Sequence, residues 1–120
     1  MSKVEYLNYD ENIDHLTIYK ANEKIVSNID IGLAILSLNK KKEIVGMELM
    51  GVHKNFKVPM EVLNNLKGCK VDIRYNSFRK FVVANVFLNY QGNHQSPLAV
   101  SSAMDLGKNT FNDVFACHAA

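Results

Sequence analysis

The sequence predicts an α+β domain: a mainly antiparallel β-sheet of hairpins with one short helix packed on it, and a candidate C-terminal helix. Three observations predict it. Short runs with period-two alternation recur through residues 4–102, separated by polar breaks rich in Asn, Asp and Gly. The stretch from Ile29 to Met50, IDIGLAILSLNKKKEIVGMELM, reads as two apolar strands joined by a lysine-rich turn. Between the strands, residues 58–68 carry helical spacing, opened by a proline and closed by a glycine.

The first strand alternates Val4, Tyr6 and Asn8 with Glu5, Leu7 and Tyr9. Tyr9-Asp10-Glu11-Asn12 supplies the Asn/Asp-containing break of a hairpin loop. The return strand sets His15, Thr17 and Tyr19 on one face and Leu16 and Ile18 on the other. After the polar break 21–24, Ile29 and Ile31 alternate with Asn28 and Asp30, and Gly32 marks a bend or bulge. Leu33 to Leu38 is apolar on both faces apart from Ser37, which predicts a central strand. In the strand after the lysine turn, Val45, Met47 and Leu49 share one face, with Ile44, Gly46, Glu48 and Met50 on the other. Gly46 lets a ring or backbone approach closely, and Glu48 is expected to pair with a nearby lysine.

Pro59 suits a first helical turn, Met60, Val62, Leu63 and Leu66 form the apolar stripe, and Gly68 follows the helix end. Val71, Ile73 and Tyr75 then alternate with Lys70, Asp72 and Arg74, and a polar turn covers 76–80. FVVANVFLNY, from Phe81 to Tyr90, is the longest strand. One of its faces carries Val82, Ala84, Val86 and Leu88, and the other carries Phe81, Val83 and Phe87 beside Asn85 and Asn89. A short strand around Leu98 and Val100 follows Pro97. Residues 1–102 are therefore expected to form one β-rich domain, with 103–120 as a tail, docked or frayed. Asn109 or Thr110 is placed to cap a helix bearing Phe111, Val114 and Phe115.

Composition narrows the function classes. A hydrophobic content of 48% with 22% charged residues excludes disorder for most of the chain. The net charge of +2 is smaller than the basic excess usual in nucleic-acid binders, so that class is weighed but not favoured. MSKVEYLNYDE lacks the apolar core of a signal peptide, and no apolar run approaches the ~18 residues of a membrane helix. A cytoplasmic protein without membrane association is expected, with Cys69 and Cys117 reduced.

Taken as a unit, YDENIDHLTIY…SNIDIGLAILSLNKKKEIVGMELMGV resembles the domain of unknown function 2283 family, over roughly residues 1–51. Tyr9-Asp10, Asp14 with Leu16 and Ile18, Asp30 with Gly32, and Ile44-Val45-Gly46 with Glu48 carry the resemblance. His15 and the long C-terminal half depart from the family pattern. The resemblance implies a small β-rich fold of prokaryotic origin with no assigned activity. Some members lie beside genes that look like toxins, which implies an antitoxin or accessory role and transfers no catalytic residue.

Three constellations are candidates for function. Asp10, Asp14 and His15 flank the first loop and are candidates to bind a cation or small ligand or to act as an acid/base group, although loop carboxylates more often cap turns. Lys70, Arg74, Arg79 and Lys80 form a basic strip with Tyr75 and Phe78 among them, the composition of a single-strand binder. Asp72 interrupts that strip and Tyr75 alternates inward, so a solvated strand edge guarded by charge is the better explanation of it. Phe81, Val83 and Phe87 form an apolar row suited to burial between subunits. His15, His53, His94 and His118 share no metal-ligand spacing with each other or with a cysteine, and no glycine-rich phosphate loop occurs. The sequence thus points to a non-enzymatic, homo-oligomeric interaction or accessory protein with no catalytic residue, metal or cofactor. A nucleic-acid-binding regulator of antitoxin type and a small-ligand-binding protein or enzyme with its site near the first hairpin loop are the alternatives.

Overall fold

The computed structural model describes residues 6–20, 22–90, 93–94, 98–106 and 112–118, the backbone alone for 93–94 and 112–118. Among the described residues, ten strands and two short helices run in the order β1 (Tyr6–Asp10), β2 (His15–Tyr19), β3 (Ser27–Asp30), β4 (Ala34–Leu38), β5 (Ile44–Met50), α1 (Val52–Phe56), α2 (Met60–Leu63), β6 (Gly68–Asn76), β7 (Phe81–Tyr90), β8 (Asn93–His94), β9 (Leu98–Ala103) and β10 (Asn112–His118). They form two antiparallel sheets, the first ordered β1-β2-β5-β4-β3 and the second β10-β6-β7-β8, with β9 also on β7. The α+β architecture of hairpins is as the alternation predicts.

Alternation places the core. Leu16, Ile18, Leu36, Met47 and Leu49 of the first sheet and Val71, Ile73, Tyr75, Val82, Ala84 and Val86 of the second belong to one continuous buried cluster. The inner faces of the two sheets therefore meet, and each sheet keeps an outer face to itself. Val52, Val58, Val62 and Leu63 bring both helices into the same cluster.

Several boundaries differ from those the sequence predicts. Ile29 to Leu38 is not one bent strand but the hairpin β3–β4. Gly32 has φ +99°, its amide bonds the Asp30 carboxylate at 2.8 Å, and the Ile31 amide bonds the Ala34 carbonyl at 2.9 Å. In the β4–β5 ladder the register shifts between Ser37 and Leu38, so Ile44 faces Leu38 and Val45 is the extra residue. Ile44 therefore joins the core, not the opposite face.

The expected helix at 58–68 is a single turn, because Asn64 ends it and Gly68 already belongs to β6. A second helix, α1, lacks a local capping side chain: its N-cap is Gly51. The expected C-terminal helix is corrected to the strand β10, paired antiparallel with β6 from Asn112–Arg74 to His118–Gly68. The ladder amides of β6 offer that segment hydrogen bonds, and its Val, Phe and Cys residues suit a strand at least as well as a helix. Val4, Asn109, Thr110, Phe111 and Pro97 lie outside the described residues.

Candidate functional site

The outer face of the second sheet combines two of the three predicted constellations. The β6–β7 register sets Lys70 across from Phe87, Asp72 from Asn85, Arg74 from Val83 and Asn76 from Phe81. Opposed residues share a face, so the basic strip and the apolar row are interleaved. Lys70 Nζ lies 5.8 Å from the Phe87 ring centroid, within the range of a cation–π contact. Arg74 Nε bonds Asp72 Oδ1 at 3.1 Å. Beside β7, β9 contributes the exposed small residues Ala99, Ser101 and Ala103, which leave Phe81 40% exposed.

The β6–β7 turn is held at several points. The Arg79 amide bonds the Asn76 side chain at 3.0 Å, Lys80 adopts φ +53°, and its carbonyl accepts the Met104 amide at 2.8 Å. Tyr75 is inward and buried, and its hydroxyl accepts the Leu106 amide at 2.8 Å. On this braced turn Phe78 is 93% exposed. A shallow hollow of about 500 Å³ lies beside it, lined by Arg74, Asn76, Ser77, Arg79, Phe81 and Val83 together with Tyr75.

The structure thus brings Arg74 and Arg79 to one hollow. Lys80 turns to Asp105 at 3.2 Å, and Lys70 sits four residues back along β6, roughly 13 Å away at strand spacing. Both ion pairs are exposed, the class that contributes least. No carboxylate among the described residues pairs with Arg79 or Lys70. Phe78, read in the sequence as a stacking aromatic within the basic strip, owes its exposure to the turn geometry.

The first hairpin has a different character. Asp10 caps its own turn, accepting the Asn12 amide at 3.0 Å. Asp14, at φ +56°, turns away towards Tyr9 and α1. Its Oδ1 accepts the Tyr9 hydroxyl at 2.6 Å and the His53 amide at 2.9 Å, and its Oδ2 accepts the Lys54 amide at 3.0 Å. The Asp14 carbonyl also accepts the Gly51 and Val52 amides. Asp14 is therefore the missing cap of α1, supplied from a hairpin far away in sequence.

Burial pushes the Asp14 carboxyl up, but the Tyr9 hydroxyl, the two amides and the nearby His53 hold it below the usual carboxylate value. Burial, and then the bond to Asp14, push the Tyr9 phenol well above its ordinary value. His15 pairs through its backbone with Met50. The hollow beside this hairpin, about 190 Å³, is lined by Leu7, Asn8, Tyr9, Leu63, Asn64 and Leu66, and by none of the three predicted residues. Asp10 and Asp14 serve separate structural tasks.

Two residues singled out in the first sheet also find partners. The ring of Tyr19 packs over Gly46, where a Cβ would collide with it. Tyr19 also approaches Glu48, hydroxyl to carboxylate 3.4 Å, and not a lysine as expected. Burial and then the Glu48 charge raise the Tyr19 phenol. Among the described residues no three His, Cys, Asp or Glu side chains converge to hold a metal, and no helix is long and apolar enough to cross a membrane. The chain matches no protein-family model, no curated protein and no solved structure.

Proposed function

We propose that the protein is a non-enzymatic interaction protein of the cytoplasm that associates with a second copy of itself through the outer face of its second sheet. The observation that carries this reading is the row of Phe81, Val83 and Phe87 along β7, with Phe81 40% exposed and only small residues beside it on β9. Aromatic side chains lose little rotamer freedom on burial and anchor interfaces well. On the neighbouring strand Lys70 and Arg74 flank Asp72, so a copy related by a two-fold axis can set acid against base. An accessory role of the antitoxin kind, implied by the family resemblance, belongs to the same proposal.

Light scattering after size exclusion tests it. Wild-type protein is expected to exceed the monomer mass at high concentration, and Phe87→Asp to return it to a monomer with unchanged circular dichroism. A wild-type monomer at every concentration refutes the reading.

One observation favours a second reading, the binding of single-stranded nucleic acid. Phe78 stands 93% exposed on a braced turn, beside a hollow lined by Arg74 and Arg79. An aromatic platform next to guanidinium groups suits a base and its phosphate. Labelled oligonucleotides should then bind with a steep salt dependence, and Phe78→Ala should weaken them about tenfold. Binding that ignores both Phe78→Ala and Arg79→Glu removes this reading.

A further inference from the structure

The ladder between β6 and β10 sets Cys117 directly across from Cys69, and these are the two cysteines of the chain. Directly opposed residues in an antiparallel pair have Cα atoms about 4.5–5.5 Å apart. A disulfide spans about 4.4–6.8 Å between Cα atoms. Opposed residues also share a sheet face, so the register alone meets the first requirement for a bridge. Cys69 is buried in the cluster that holds Val71 and Ile73. A sequence separation this large carries no pairing signal; only the ladder joins the two positions.

We propose that Cys69 and Cys117 form a reversible cross-strand disulfide that locks β10 onto the second sheet, closed by exchange with a small disulfide oxidant such as glutathione disulfide. Among the described residues, β10 ends the sheet with β6 as its ladder partner, and an edge strand of this kind opens locally more easily than a central one. During such an opening one cysteine thiolate attacks a sulfur of glutathione disulfide. The oxidant's S–S bond breaks, one glutathione thiolate leaves, and a mixed disulfide remains on the protein.

As β10 pairs again, the second cysteine thiolate attacks the protein-bound sulfur and expels the second glutathione. Two protein thiols are oxidised to one disulfide, one glutathione disulfide is reduced to two glutathione thiols, and both protons end on these. The closed loop contains β7 and β9 entire, so the bridge limits the unfolded chain strongly. A reducing compartment keeps the pair as thiols and β10 held by its ladder alone. An oxidising challenge makes the edge permanent until the bridge is reduced.

The test equilibrates the folded full chain in glutathione redox buffers of rising oxidant content, followed by alkylation, intact mass and peptide mapping. The expected product is a single covalent chain lighter by two hydrogens, unreactive to alkylation, with one linked peptide pair containing Cys69 and Cys117. Its Tm should rise by about 10 °C, and Cys117→Ser should abolish both the bridge and the rise. Glutathione adducts or intermolecular dimers in place of the internal bridge overturn the proposal. A bridge that forms only in denaturant, or that lowers Tm, overturns it equally.

Discussion

Replacing Asp14 by Asn tests whether the first hairpin holds α1 in place. Asn tolerates the left-handed backbone at this position, φ +56°, so the substitution leaves the turn intact and changes only the side-chain end. The carboxylate accepts three hydrogen bonds, from Tyr9, His53 and Lys54. An amide retains one oxygen acceptor, so one donor loses its partner and the other bonds lose their charge assistance. Charge-assisted bonds contribute about 1.5–3 kcal/mol and neutral ones about 0.5–1.5 kcal/mol, and an N-cap about 1 kcal/mol. Partial solvent access lowers the sum, leaving an expected loss of about 2 kcal/mol, or about 8 °C in Tm for a chain of this size.

Acid titration supplies the sharper criterion. The folded carboxyl sits below the unfolded value of about 3.9. Its contribution is therefore complete well above pH 4 and is lost as pH falls through the folded value. Urea melts of both proteins should show a gap at neutral pH that closes in acid. Equal midpoints at neutral pH, or a gap that persists after the wild-type carboxyl is protonated, would refute the bracket.

Two further substitutions probe other contacts by the same melts. Gly46→Ala places a Cβ against the Tyr19 ring, so a loss of about 1–3 kcal/mol is expected, with partial recovery in the double variant Gly46→Ala/Tyr19→Ser; full tolerance of the single variant would show that the ring is loosely held. Tyr75→Phe leaves the Leu106 amide without its acceptor and should cost about 1–2 kcal/mol, detected also as faster amide exchange at Leu106; unchanged exchange would show that this bond does not brace the segment after β9.

The inner faces are legible in the sequence because burial and alternation have the same period. Leu16 and Ile18, Val71 and Ile73, and Val82, Ala84 and Val86 all lie where a period-two reading places them. What escapes that reading depends on partners distant in sequence. The α1 helix has Gly51 at its N-cap and an Asp14 carboxylate from another element on its first amides, so no local start signal exists. The C-terminal segment has a spacing that fits a helix, yet β6 presents an unpaired ladder and wins the competition. Helical spacing over so short a span is a weak preference, and tertiary hydrogen bonding overrides it.

The candidate site follows the same division between local and distant causes. Lys70, Arg74, Phe81, Val83 and Phe87 can be assigned to an outer face from alternation alone, but alternation within one strand says nothing about register. Whether the basic strip and the apolar row lie on separate surfaces or on one is decided by the β6–β7 ladder, which puts Arg74 across from Val83 and Lys70 across from Phe87. Interleaving changes the chemistry. A separate apolar row would favour a dry, obligate interface, whereas rings flanked by ammonium and guanidinium groups favour contacts that are partly wet, salt-sensitive and reversible. Salt should therefore weaken self-association through this face. An association that strengthened with salt would place its energy in the apolar row alone and leave the charged neighbours as bystanders.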